Sequence, residues 1–192
     1  MNLEIIVVAN HKRKPLIIPF LSGKPYKIHY AEDYKLPENF KPADGMAGLV
    51  TNHTGTYRCF RGHQDALSIA EGDNILILED DAVPNNDEWF QKVIKAIPLL
   101  DSFEVVSFHG RQRIQPFANV SGYRDYLKPI LFPVWMVAAL AYMIKKKNVP
   151  KYLEYKYNGR PWDILIYQDL SFCVLEKSIF DHNLSEGSLI DI

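Results

Sequence analysis

The stretch Ile75-Leu-Ile-Leu-Glu-Asp-Asp-Ala82 constrains this chain more than any other. Four apolar residues in a row predict a short strand buried on both faces, the kind found inside parallel sheets. Three carboxylates follow at once. They repel one another, and directly after a buried strand at least one of them is desolvated. That costs on the order of several kcal/mol unless something positive compensates. A divalent cation is a natural compensator. On an extended chain, residues i and i+2 project to the same side. Glu79 and Asp81 are therefore expected to aim at one site while Asp80 faces elsewhere. Hard oxygen ligands suit Mg2+ or Mn2+, with a diphosphate completing the shell. The plain alternative is an acidic turn that leads into a helix capped by Asn86 or Asp87.

The surrounding pattern alternates strand and helix. Leu3 to Ala9 is apolar and β-branched, and predicts another buried strand ending at Asn10. Pro15 to Phe20 reads as a short helix or an extended piece, and Tyr26 to Tyr30 as a strand. Pro37, Pro42, Asp44, Gly45 and Gly48 break residues 31–48 into a long loop. Tyr57 to Ala70 predicts a helix with His63, Ala66, Leu67 and Ala70 on one face. A second helix carries Trp89, Phe90, Val93, Ile94 and Ile97 inward and stops at Pro98. Val105 to Phe108 predicts a strand, and residues 109–129 read as irregular. Val134 to Ile144 fits strand or helix equally. Asn148 to Tyr157 predicts a short helix, and two apolar segments, Trp162–Tyr167 and Leu170–Leu175, follow. This order predicts an α/β sandwich with a mostly parallel central sheet. In such sheets ligands bind beyond the carboxyl ends of the strands, where the acidic triplet falls. The same rule sets Asn10 against a nucleotide base or ribose, and Arg13 against a phosphate.

Composition narrows the alternatives. The 192 residues fit one domain, 1–192, and 47% hydrophobic residues suffice for its core. A net charge of −1 excludes the global basic field of a bulk nucleic-acid binder. Local basic stretches remain at 11–14, 111–128 and 145–147. Cys59 and Cys173 show no CxxC spacing and no disulfide framework, and read as reduced thiols of a cytoplasmic protein. Met1 to Val8 lacks the cationic start of a signal peptide, so the sequons at Asn52, Asn119 and Asn183 carry no weight. The apolar run Ile130–Ile144 is broken by Pro133 and falls short of the roughly 20 residues of a membrane helix. No transmembrane segment is expected. The sequence is silent on oligomeric state.

Four segments in order carry a family resemblance. Arg61-Gly-His63-x-x-Ala66 is followed by Leu76-Ile-Leu-Glu-Asp-Asp-Ala82. Ala139-Leu-Ala-Tyr-Met-Ile144 and Arg160-Pro-Trp-Asp163 come next, then the tail Glu176 to His182. Together, from about Tyr57 onward, they resemble glycosyltransferase family 25, which includes lipopolysaccharide glycosyltransferases and collagen galactosyltransferases. Gly62 stands where that family has Ser, and Trp162 where it has Val.

The resemblance implies a GT-A-type fold, a UDP-sugar donor and a DxD-like metal motif, here Glu79-x-Asp81. It implies an inverting displacement that needs a general base and charge stabilisation for the departing diphosphate. Asp81 and Glu79 become the expected metal ligands, with His182 completing the shell and Asp80 beside the donor. Asp163 is the first candidate for general base or acceptor binding, its alternative being a helix cap, and Asp169 is the second. His63 is expected to pack beneath the site and orient the donor loop. Arg58 and Arg61 either approach the diphosphate or stay solvated. A surface glycan, as in lipopolysaccharide biosynthesis, is the expected acceptor. A hydroxylated base in DNA, held by the basic stretches, is the alternative. Of other classes, a non-catalytic nucleotide-sugar-binding protein keeps the fold, and a metal-dependent phosphotransferase or nuclease lacks the dispersed carboxylates such sites use.

Overall fold

The computed structural model describes residues 2–10, 14–31, 33–43, 52–109, 119–120, 123–127, 139–168, 171–175 and 177–182. Arg13 and Asp169, Gly45 and Gly48, and most of 109–138 lie outside the described residues.

The central sheet grows from the apolar runs. β1 (Leu3–Asn10) pairs in parallel with β2 (Tyr26–Ala31) on one side and β3 (Asn74–Glu79) on the other. Next to β3 runs β8 (Ala141–Lys145), then β5 (Val105–Ser107) and β9 (Phe172–Val174), giving the order β2-β1-β3-β8-β5-β9. β8 is antiparallel to both neighbours, and the remaining pairings are parallel. The mostly parallel α/β sheet is therefore as expected. Val134–Ile144, ambiguous by periodicity, ends in a strand because both sheet faces claim it. Ala141 and Met143 join one core layer, Tyr142 and Ile144 the other.

The same alternation runs through the neighbours. Ile5, Val7, Leu76 and Leu78 pack with α2 (Trp89–Ala96) on one side. Ile6, Val8, Ile75 and Ile77 pack on the other with α1 (His53–Ser68), α3 (Val149–Leu153) and α4 (Trp162–Gln168). Two covered faces explain why β1 and β3 are apolar throughout rather than alternating.

Several boundaries differ from the sequence reading. α1 begins at His53, four residues before Tyr57, because Asn52 caps it by accepting the Gly55 N–H at 2.9 Å. That first turn is polar, so it carries no apolar signal. α2 starts after Glu88, and neither Asn86 nor Asp87 caps it; Asn86 instead accepts the Glu88 N–H in a local turn at 3.1 Å. Pro98 does not stop the helical path but enters a tighter 3-10 turn, Ile97–Asp101. The span 109–129, read as irregular, contains the strand pair β6 (Asn119–Val120) and β7 (Tyr123–Leu127). The acidic triplet does not run straight into a helix either. β4 (Ala82–Pro84) intervenes and pairs antiparallel with β10 (Phe180–His182), with His182 opposite Ala82.

Gly62 lies where α1 crosses β1 and β2. A Cβ there would lie 3.0 Å from Ala31 Cβ and 3.4 Å from Val8 Cγ1, so glycine lets α1 settle onto β1 and β2. Gly62→Val forces these elements apart, and overpacking of this kind costs about 1–3 kcal/mol. Its denaturant midpoint is expected to fall accordingly; an unchanged midpoint would contradict the close approach.

Candidate functional site

The carboxyl ends of β1, β3 and β5 meet the start of antiparallel β8 along one sheet edge. The Glu79 N–H donates to Leu140 O there, at 2.9 Å. Within the acidic triplet the three side chains go three ways. Asp80 is buried, and its Oδ2 accepts the Asn10 N–H at 2.9 Å while its carbonyl accepts the Leu16 N–H at 2.7 Å. It thus ties the β1 terminus and the chain after it to the β3 turn.

Asp81 is also buried. Its Oδ2 lies 3.3 Å from His182 Nδ1, a contact made by the β4–β10 pairing. Its Oδ1 is buried and meets no hydrogen-bond donor among the described residues. An ionised oxygen left so is costly without a positive partner. This donor set therefore fits a hard divalent cation, with the imidazole beside it as a second ligand type.

His109, which sequence reading did not single out, fastens β10. Its Nδ1–H donates to Phe180 O at 2.8 Å, and its ring meets His182 edge-to-face at 5.2 Å. The Ser107 hydroxyl in turn donates to His109 O at 2.8 Å. One signal was available: His109 is a polar residue directly after a buried strand, the rule that singled out Asn10.

Glu79 faces α1. Its Oε1 lies 3.1 Å from His63 Nε2, and His63 Nδ1 lies 3.0 Å from the Tyr142 hydroxyl, which also accepts Trp162 Nε1–H at 3.1 Å. The Trp162 indole stacks on the His63 ring, 5.4 Å between centroids and 11° from parallel. So α1, β8 and α4 jointly fix the imidazole behind Glu79. Burial, then the Asp81 carboxylate, pushes the Glu79 carboxyl up to about 8; His182 opposes this and Asp80 adds to it. Burial holds His63 down at about 3, against the attraction of Asp163. Burial first, then Glu79, Asp163, Asp81 and Asp80 in that order, pushes the Cys59 thiol well up.

The structure thus gathers Asn10, His63, Glu79, Asp80, Asp81 and His182, with Asp163 in electrostatic reach. Asp163 sits inside the first turn of α4, so it is not the cap; its Oδ1 accepts the Ile164 N–H at 2.9 Å. The two arginines are engaged elsewhere. Arg61 bridges Asp65 at 3.1 Å and lies over the Tyr34 ring. Arg58 donates to Tyr34 O at 3.4 Å and faces Asp33.

No protein-family model and no curated protein matches the chain. Solved structures do. TarS 1–349 from S. aureus, in complex with UDP-GlcNAc, aligns over 100% of this chain with a TM-score of 0.57 and 12% identity. The alignment covers 61% of TarS 1–349, so this chain spans less than two thirds of it. A glycosyltransferase involved in glycosylation of the major capsid of PBCV-1 aligns over 98% of this chain and 95% of its own, with a TM-score of 0.53 and 13% identity. A197 from STIV aligns over 96% and 86%, with a TM-score of 0.52 and 15% identity. At such identities the likeness is one of fold: a GT-A-type α/β sandwich.

The buried pair sets a pH signature in the metal-free protein. Between about 4.5 and 8 the folded Glu79 keeps a proton that the unfolded chain has lost, so stability falls as pH rises. Between about 3 and 6.5 the unfolded His63 holds a proton that the folded imidazole lacks, so stability rises with pH. Above 6.5 only the Glu79 contribution remains. Unfolding midpoints in a chelator are expected to drop from pH 6.5 to 8 in the wild type and to flatten in Glu79→Gln. A Glu79→Gln curve parallel to the wild type would contradict a buried, proton-holding carboxyl.

Proposed function

We propose that the chain is a metal-dependent glycosyltransferase that moves a sugar from a UDP-sugar to an acceptor hydroxyl with inversion. The observation that carries this reading is Asp81: a buried carboxylate with one oxygen lacking a donor, beside His182, at the carboxyl end of the central strand of a GT-A-type sheet. In this reading Asp81 and His182 hold Mn2+ or Mg2+, with Glu79 behind them. When bound, the cation neutralises charge on the departing diphosphate. The UDP-GlcNAc held by the TarS relative supports a uridine-diphosphate donor.

The chain's own residues divide the remaining work. Asp80 holds the β1 terminus, so the Asn10 backbone keeps a fixed place at the edge where a nucleotide would lie. The Trp162–Tyr142–His63 chain keeps the floor of the site rigid and dry, which strengthens electrostatic contacts made above it. Asp163 is the proposed general base, taking the proton of the acceptor hydroxyl, and Asp169 is the other candidate. The proposed acceptor is a surface glycan such as a lipopolysaccharide. Among the described residues no helix is long and apolar enough to cross a membrane.

A panel of UDP-sugars screened by thermal unfolding, with and without Mn2+, tests this reading. One donor is expected to raise the melting temperature only with Mn2+, and to be slowly hydrolysed. Asp81→Asn is expected to abolish the Mn2+-dependent shift and lower turnover about 100- to 1,000-fold, as loss of charge stabilisation does elsewhere. A wild-type protein indifferent to every UDP-sugar would sink the proposal. Tight binding without turnover would point to a non-catalytic sugar-nucleotide binder.

A further inference from the structure

Beneath the acidic turn lies a second group of side chains with different ligand chemistry. Cys59 and His63 are four residues apart on α1, so they share a helix face. Glu79 meets them from the end of β3. One ligand atom from each of the three lies within 4.8 Å of the others. The Glu79 Oε1 to His63 Nε2 separation is 3.1 Å. Two ligands of one tetrahedral ion, each bound at about 2.0–2.2 Å, stand about 3.3–3.5 Å apart, so this pair is already close to the required spacing. We propose that Cys59, His63 and Glu79 form a soft cation site, suited to Zn2+, distinct in kind from the hard oxygen site at Asp81.

Three features support it beyond proximity. A thiol, an imidazole and a carboxylate together prefer Zn2+ over Mg2+ or Mn2+, and three protein ligands leave a fourth position open. His63 is oriented from behind as ligating histidines are: its other ring nitrogen faces the Tyr142 hydroxyl, itself held by Trp162. With Nε2 on the ion, Nδ1–H donates to the Tyr142 oxygen. Finally, two of the three ligands are partly exposed. His63 is sealed, with its side chain 1% exposed, but Glu79 is 14% exposed and Cys59 is half-buried. On binding, the Cys59 S–H bond breaks, the sulfur donates its pair to the ion and one proton leaves to solvent.

Co2+ is the probe, because a thiolate bound to it gives a near-ultraviolet charge-transfer band that oxygen ligands do not. Titration of the full chain with Co2+ is expected to raise this band to one ion per chain, and Zn2+ to bleach it. Cys59→Ser and His63→Gln should lose the band, and Zn2+ affinity in Cys59→Ser should fall at least ~10-fold. Cys173→Ser, in the opposite core layer, and Asp81→Asn should keep it. Circular dichroism of Cys59→Ser checks that loss is not unfolding. No band in the wild type at saturating Co2+, or a band that survives Cys59→Ser, would overturn the site. No sugar nucleotide enters the experiment, so its outcome is separate from that of the transferase reading.

Discussion

Three adjacent carboxylates at the end of a fully buried strand are the constraint on which the rest of this structure depends. Each charge loses water there, and each is given a different remedy. Asp80 takes a backbone N–H from Asn10. Glu79 turns to His63 and holds its proton up to about pH 8. Asp81 takes the His182 imidazole on one oxygen and is left with a second that no described donor reaches. The arrangement binds three parts of the chain together: the β1 terminus, the α1 face and the β10 ribbon all close on one turn.

The floor beneath that turn is built from long-range contacts. Trp162, Tyr142 and His63 come from α4, β8 and α1, yet form one hydrogen-bonded and stacked column ending on Glu79. A column of this kind has little freedom to repack, because each polar atom in it is both buried and used. It gives the acidic turn a closely packed inner wall.

Much of this was legible in the sequence, and the rest was not for physical reasons. β1, β3 and the inner face of α1 announce themselves because burial on known faces writes a local period. The carboxyl-end rule then placed Glu79, Asp80, Asp81 and Asn10 on one edge without any structure. The β4–β10 ribbon left no such trace. Its strands are three residues each and pair across almost a hundred positions, so no local pattern encodes the approach of His182 to Asp81. His109 was missed with it, since its value lies in holding that ribbon. The direction of β8 was equally hidden, because an apolar run buried on both faces reads the same either way. The sequence left Asp163 between a general base and a helix cap, and only the fold shows it within the first turn of α4.

In the proposed reading the orphaned Asp81 oxygen holds a cation for a sugar nucleotide. Anomalous diffraction from crystals grown with Mn2+ and UDP measures this most directly. On the proposed reading, one strong manganese peak is expected beside Asp81 and His182. A manganese ion bound elsewhere, or UDP seated with no ion at Asp81, would contradict it.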